Sequence, residues 1–149
     1  MLNKFAESIS KKHIVKVGIL GNKDNRKEAG LSNATVGLAH EFGTFTGKKE
    51  KIPKRSFLRM PLTTKSQSIL KYLDNNKTLK LVGEGNFRQV FKNLGIACEK
   101  VIQEAFETSG WGSWAPNTRM TVALKKSKKP LIDTAQLRRS ITSKVEDVH

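Results

Sequence analysis

Between Gly85 and Thr108 apolar residues return at the spacing of one helical face: Phe87, Val90, Phe91, Leu94, Ala97, Cys98, Val101 and Ala105. This is the strongest periodicity in the chain. It predicts a helix about 36 Å long at 1.5 Å per residue. Gly95 within it costs roughly 1 kcal/mol relative to alanine, and permits close packing in return. Ser109-Gly110 stops it. Its apolar stripe is expected to be core, so that Leu94→Ala costs about 2–5 kcal/mol.

Period-two alternation marks two strands. In His13–Leu20, Val15, Val17 and Ile19 point one way and Lys16 and Gly18 the other. Near the C-terminus, Ile141, Ser143 and Val145 alternate with Thr142 and Lys144. Shorter helical patterns fill part of the remainder. Leu2, Phe5, Ala6 and Ile9 form one stripe in a helical arm within residues 1–12. Asn33 can cap a helix over 34–42, with Gly43 as its stop. Ile52-Pro53 enforces extended backbone. Ser56 can cap a helix from near Phe57 through Leu73, with Pro61 in its first turn and Asp74-Asn75-Asn76 after it.

Asp133 with Gln136 three residues later forms a capping pattern for a short helix to about Ser140. Segments 22–32, 43–52 and 109–130 are polar, glycine-bounded or lysine-rich and read as mobile loops, with a short helix at 118–125 inside the last. No internal repeat is visible, and 149 residues suit a single domain over 1–149. The expected fold class is α+β: a small antiparallel or mixed β-sheet packed by one long helix, with long polar loops.

Charge adds the next constraint. The formal net charge is +15, and it is concentrated. Residues 51–73 hold Lys51, Lys54, Arg55, Arg59, Lys65 and Lys71, and residues 108–132 hold Arg119, Lys125, Lys126, Lys128 and Lys129; neither block contains an acid. Such blocks attract polyanions, whether nucleic acid or an acidic protein surface, or else lie solvated as self-repelling loops.

Candidate chemistry is sparse. The single cysteine, Cys98, rules out an internal disulfide and a cysteine metal cluster, and falls on the apolar face of the long helix. His40-Glu41 begins like a zinc-protease motif but lacks the second histidine, and His13 and His149 lie far from it in sequence. Asp133-Thr134-Ala135 has the letters of an aspartic-protease loop on the flank of a helix cap. Gly83-Glu84-Gly85 matches no phosphate-binding pattern. The reading is of a protein that is not an enzyme and holds no metal and no cofactor. No run approaches the roughly 20 apolar residues of a membrane span, so no membrane is expected. Trp111 and Trp114 in a basic segment suit either base stacking or an interface anchor, and the interface is favoured.

Two distant segments carry a resemblance. The first is His40-Glu41-Phe42-Gly43-Thr44 followed by Ile52-Pro53-Lys54-Arg55-Ser56-Phe57-Leu58-Arg59. The second is Pro130 to Ile141, with Leu131-Ile132-Asp133-Thr134 and Gln136-Leu137-Arg138 inside it, preceded by Trp111, Trp114, Pro116 and Thr118. In this order, around the long helix, they resemble the virion morphogenesis, neck and tail-completion proteins of tailed bacteriophages, the Mu-type morphogenesis protein and related siphophage neck proteins. The resemblance runs from about residue 13 to the end. Ala135 stands where such proteins usually have glycine, and Ser56 where proline is common.

The resemblance implies a structural protein of the virion, assembled in the host cytoplasm, that forms a ring at the head–tail junction or tail end. The implied partners are copies of itself, commonly six, other neck, connector or tail proteins, and phage DNA in non-specific contact. A ring requires one patch to meet a different patch on the next copy. The candidate interface residues are Trp111, Trp114, Arg55, Phe57, Arg59, Lys125, Lys126, Lys128, Lys129, Arg138 and Arg139. The competing reading from charge alone is a small basic nucleic-acid-binding domain.

Overall fold

The first and last strands among the described residues pair with each other. In the computed structural model, which describes residues 6–7, 10–24, 31–117 and 135–148, β1 (Lys12–Ile19) and β4 (Ile141–Val148) run antiparallel in unbroken register, from Lys12 opposite Val148 to Ile19 opposite Ile141. The long helix, α5 (Phe87–Glu107), lies across both strands. Gly95 makes this approach possible: a methyl group there would sit 2.5 Å from Ser143 Oγ and 3.4 Å from a methyl of Val15. The residue that weakens the helix locally is the one that lets the strand reach it.

Burial along α5 is uneven. Ala97, Val101, Ile102, Ala105 and Phe106 are fully enclosed, whereas Phe87, Val90, Phe91 and Leu94 are half-buried. Leu94 is therefore not the core position that the periodicity predicts; it borders an open groove. The reason is that α5 is longer than the layer of chain packed against its C-terminal half. The enclosed part is built by Phe57, Ile102, Ala105, Phe106, Trp114, Leu137 and Ile141, with Ile69, Ala97 and Val101 as a second cluster.

The remaining elements wrap this core. Helix α1 (Asn33–Phe42) is capped by Ser32, whose Oγ accepts from the Thr35 N–H at 3.1 Å. Asn33, expected as the cap, lies one residue inside, buried, with its amide donating to the Lys23 carbonyl at 2.9 Å. Gly37 on α1 lets Ile19, Phe57 and Leu137 close in. Gly43, at φ +77°, ends the helix as expected.

The segment 43–52, read as a loop, forms a hairpin instead: β2 (Thr44–Thr46) and β3 (Lys49–Ile52) pair antiparallel around Gly47, at φ +60°. Its Thr-Phe-Thr arm is β-branched and aromatic, a preference hidden by the glycines and lysines around it. The helix predicted from Phe57 to Leu73 is split at Lys65 into α2 (Arg59–Thr64) and α3 (Ser66–Leu73). Just before the break the Thr63 and Thr64 hydroxyls donate to the Arg59 and Met60 carbonyls, a competition that weakens helices. A helix without a sequence expectation, α4 (Asn76–Gly83), follows, capped by the Asn75 side chain on the Thr78 N–H. Its Leu79 and Val82 face outward, so no buried stripe announced it.

Residues 109–117 are not an open loop. Four consecutive residues, Ser109, Gly110, Trp111 and Gly112, adopt positive φ and turn the chain back beneath α5. Short α6 (Ala135–Arg139) precedes β4 as predicted, although Asp133 and Thr134 lie outside the described residues. So do most of the N-terminal arm, residues 25–30 and the segment 118–125, for which a short helix was expected; of the arm, Ala6, Glu7 and Ser10 are helical, and Lys12 already belongs to β1. The chain is thus a mixed helix and sheet protein with small antiparallel sheets and one long helix, as the sequence implied at that level.

The closed end of the sheet is tied by charge. Asp147 on β4 accepts from Arg88 Nη1 of α5 at 2.7 Å and bonds His13 Nδ1 of β1 at 2.8 Å. The hydrogen bond from His13, and then the Arg88 charge, hold the Asp147 carboxyl below its usual range, although partial burial opposes them. A carboxyl whose folded value is depressed contributes stability above its unfolded value of about 3.9, and that contribution is lost as pH falls through the folded value. Thermal melts taken from about pH 5 down to pH 3 are expected to fall more steeply for the native chain than for Asp147→Asn.

Candidate functional site

The two halves of the first segment of the resemblance, 40–44 and 52–59, are physically joined, and Glu41 is the joint. It sits near the end of α1, 6% exposed. One carboxylate oxygen accepts from Ser56 Oγ at 2.6 Å and the Arg59 N–H at 3.1 Å; the other accepts from the Phe57 and Leu58 N–H groups at 2.8 and 2.9 Å. The first backbone donors around the start of α2 therefore have a partner from another helix. Ser56 adds to this by accepting from the Met60 N–H at 3.0 Å, which places its hydroxyl in the capping role expected for it. The Arg55 N–H donates to the His40 carbonyl at 2.7 Å. The His40 carbonyl and the Glu41 carboxylate thus organise the backbone of residues 55–59.

Arg55 makes the second joint. Its guanidinium donates to the Ala115 carbonyl at 2.8 Å, the Pro116 carbonyl at 3.1 Å and Asn117 Oδ1 at 3.3 Å. Burial draws this guanidinium below its usual value, and the nearby Glu50 carboxylate opposes that. Two residues on, Phe57 packs on Phe106 with ring centroids 5.4 Å apart, and Phe106 meets the Trp114 ring edge-on at 5.7 Å. The segment at 52–59 and the Trp-Ala-Pro segment at 114–116 close on one another through a buried ion and a stack of rings.

This geometry redistributes the predicted interface residues. Phe57, Trp114 and Arg55 are exposed by 0%, 7% and 6%, so their side chains are interior and hold the chain together rather than meet a neighbour. A tryptophan or arginine in a basic segment does not reveal from sequence whether its partner is internal. Trp111 is half-buried, with Lys65 Nζ 4.5 Å above its ring. Arg59 is exposed and lies over the Phe42 ring at 6.0 Å. Arg138 is tied to Gln103 and Glu107 on α5, while Arg139 is exposed. Lys125, Lys126, Lys128 and Lys129 lie outside the described residues.

The surface around the Glu41 joint is apolar. Leu31, Leu38, Phe42 and Phe45 are exposed by 51%, 62%, 54% and 64%. Beside them a groove of about 400 Å³ runs between α1 and the start of α2, floored by Ile19, Gly37, Phe57 and Leu62 and bordered by Arg59. Single exposed hydrophobes are ordinary; here Leu38 and Phe42 line the groove itself, so its apolar wall continues onto the exposed face of α1. The sequence missed this patch because Leu38 and Phe42 fit the helical stripe equally well as core. The arrangement can bind; it assembles no nucleophile with a base. Among the described residues no group of three His, Cys, Asp or Glu side chains is placed to hold a metal ion, and no helix is long and apolar enough to cross a membrane.

Comparison with protein-family models, curated proteins and solved structures returns no match to this chain.

Proposed function

We propose that the chain is a structural assembly protein of a tailed-phage virion, working at the head–tail junction or tail end by closing a ring of copies of itself. The observation that carries this reading is the exposed apolar face of Leu38 and Phe42 on α1, beside its groove. Such a face is costly in water and is relieved by docking against another surface. Support comes also from the joints at Glu41 and Arg55. They tie three of the stretches quoted for the resemblance, 40–44, 52–59 and 114–117, to one another.

In a ring this apolar face is one half of a heterologous contact, meeting a different patch of the next copy. The basic blocks then face acidic neighbours or the DNA that passes through the ring. Contact with duplex DNA is expected to be weak, independent of sequence and steeply salt-dependent.

The test is the double substitution Leu38→Glu with Phe42→Glu, both at exposed positions that leave the core intact. It is expected to abolish the assembled species seen by light scattering while the circular dichroism spectrum is unchanged. Assembly at native strength in this variant rejects the face. A footprint on one defined DNA sequence that survives in about 0.3 M salt rejects the assembly reading in favour of a nucleic-acid reader.

A further inference from the structure

The groove between α1 and the start of α2 calls for an apolar occupant of definite length. Its α1 wall runs from Ala34 through Gly37, Leu38 and Glu41 to Phe42, about 12 Å at 1.5 Å per residue. A trough of this kind, with Leu38 and Phe42 exposed beside it, receives an amphipathic helix through anchors at i, i+3, i+4 and i+7. The N-terminal arm carries that spacing in Leu2, Phe5, Ala6 and Ile9, a stripe about 10 Å long on a helix. Its charges, Lys4, Glu7 and Lys11, fall on the opposite side of the same helix. Ala6 and Glu7 are helical and both are exposed, so the body of the chain leaves the stripe open at Ala6. The outward face of α4, with Leu79 and Val82, offers two anchors about 4.5 Å apart, less than half the length of the wall.

As a helix, the arm is too short to fill the groove of its own chain. It enters β1 at Lys12, and the groove is floored by Ile19 at the other end of that strand, about 23 Å away at 3.3 Å per residue. A helix from Leu2 to Lys12 reaches about 15 Å, so Leu2 falls short of Ile19, and Ile9 stays within about 5 Å of Lys12. We infer that the groove holds the N-terminal arm of the next copy, with Phe5 and Ile9 seated against Leu38 and Phe42. Each copy then gives an arm and receives one, the unlike pair of patches that ring closure requires. This rests on the assembly reading and deepens it by naming the patch that the α1 face meets.

A full chain carrying Phe5→Glu keeps its groove and loses its arm; Leu38→Glu with Phe42→Glu does the reverse. In about 0.5 M salt, where charge is screened, each is expected to stay monomeric in light scattering. Mixed one to one, they are expected to join in pairs and form nothing larger, because a pair has no working arm and no working groove left. Lys4→Glu, on the far side of the arm helix, is expected to assemble as the native chain does. A peptide of residues 1–12, amidated at its C-terminus, is expected to shift amides at residues 37–42 and 59–62 of the Phe5→Glu chain, and the same peptide bearing Phe5→Glu to shift none. Where the native chain assembles, the inference is overturned if Phe5→Glu assembles equally, if Lys4→Glu abolishes assembly, if the mixture stays monomeric, or if the peptide shifts none of these amides at millimolar concentration; rings formed without Phe5 leave the assembly reading in place. Where the native chain stays monomeric, the peptide decides: shifts at these amides reject the ring alone, and their absence rejects this inference as well.

Discussion

Glu41→Ala is expected to remove a large part of the stability of the fold. The substitution leaves the Ser56 hydroxyl and three backbone N–H groups, at Phe57, Leu58 and Arg59, without their acceptor, the first two buried and the last two partly buried beside the groove. Unsatisfied buried donors cost about 1–3 kcal/mol each. Even with relaxation the loss is about 4 kcal/mol, against a total of about 5–15 kcal/mol for an ordinary domain. Glu41→Gln keeps one accepting oxygen and turns an amide group toward the other donors, so its cost is about half as large. Urea titration of the two variants gives the ordering, and hydrogen exchange locates the effect: protection is lost first at Arg59–Thr64 and the β2–β3 hairpin. A Glu41→Ala midpoint equal to that of an exposed substitution such as Leu79→Ala contradicts the proposed joint.

Phe106→Ala has the other large expected effect. The ring is fully enclosed and stands between Phe57 and Trp114, so its removal empties the centre of the larger core cluster. Truncation of a buried phenylalanine costs about 3–5 kcal/mol. The same denaturant titration on Leu94→Ala, at a half-buried position beside an open groove, is expected to show less than about 2 kcal/mol, because the site already opens to water and leaves little cavity. The order Phe106 well above Leu94 is the discriminating result. Equal losses would mean that α5 is buried along its whole apolar stripe.

What the sequence made legible, and what it hid, follows from the range of each interaction. The α5 helix was readable because a 21-residue element repeats its apolar spacing many times. β1 and β4 were readable as strands from their alternation, but their pairing joins residues more than 120 positions apart and leaves no local signal. The hairpin at 44–52 and the helix at 76–83 are short and keep Phe45, Leu79 and Val82 outside, so neither shows a core face. Glu41 was hidden because its partners are mostly backbone amides, which any sequence supplies. A partial signal was present: an acid on an apolar helix, one residue before its last, followed by the acid-free stretch from Lys51 onward. Trp114 and Arg55 were singled out for residue type alone, and residue type does not distinguish an internal partner from an external one. In each case the interior used the residue.

The assembly reading is tested most directly by the molar mass of the purified chain in light scattering as a function of salt. A charge of +15 opposes contact between copies, and salt screens that repulsion while leaving the apolar α1 face in place. Raising the ionic strength from about 0.05 to 0.5 M, which shortens the screening length several-fold, is expected to convert monomer into one discrete species, six times the 16.7 kDa chain mass if the resemblance holds in number, and ring-shaped by negative-stain microscopy. A chain that stays monomeric at every salt concentration and protein concentration, while gripping one DNA sequence through the same range, contradicts it.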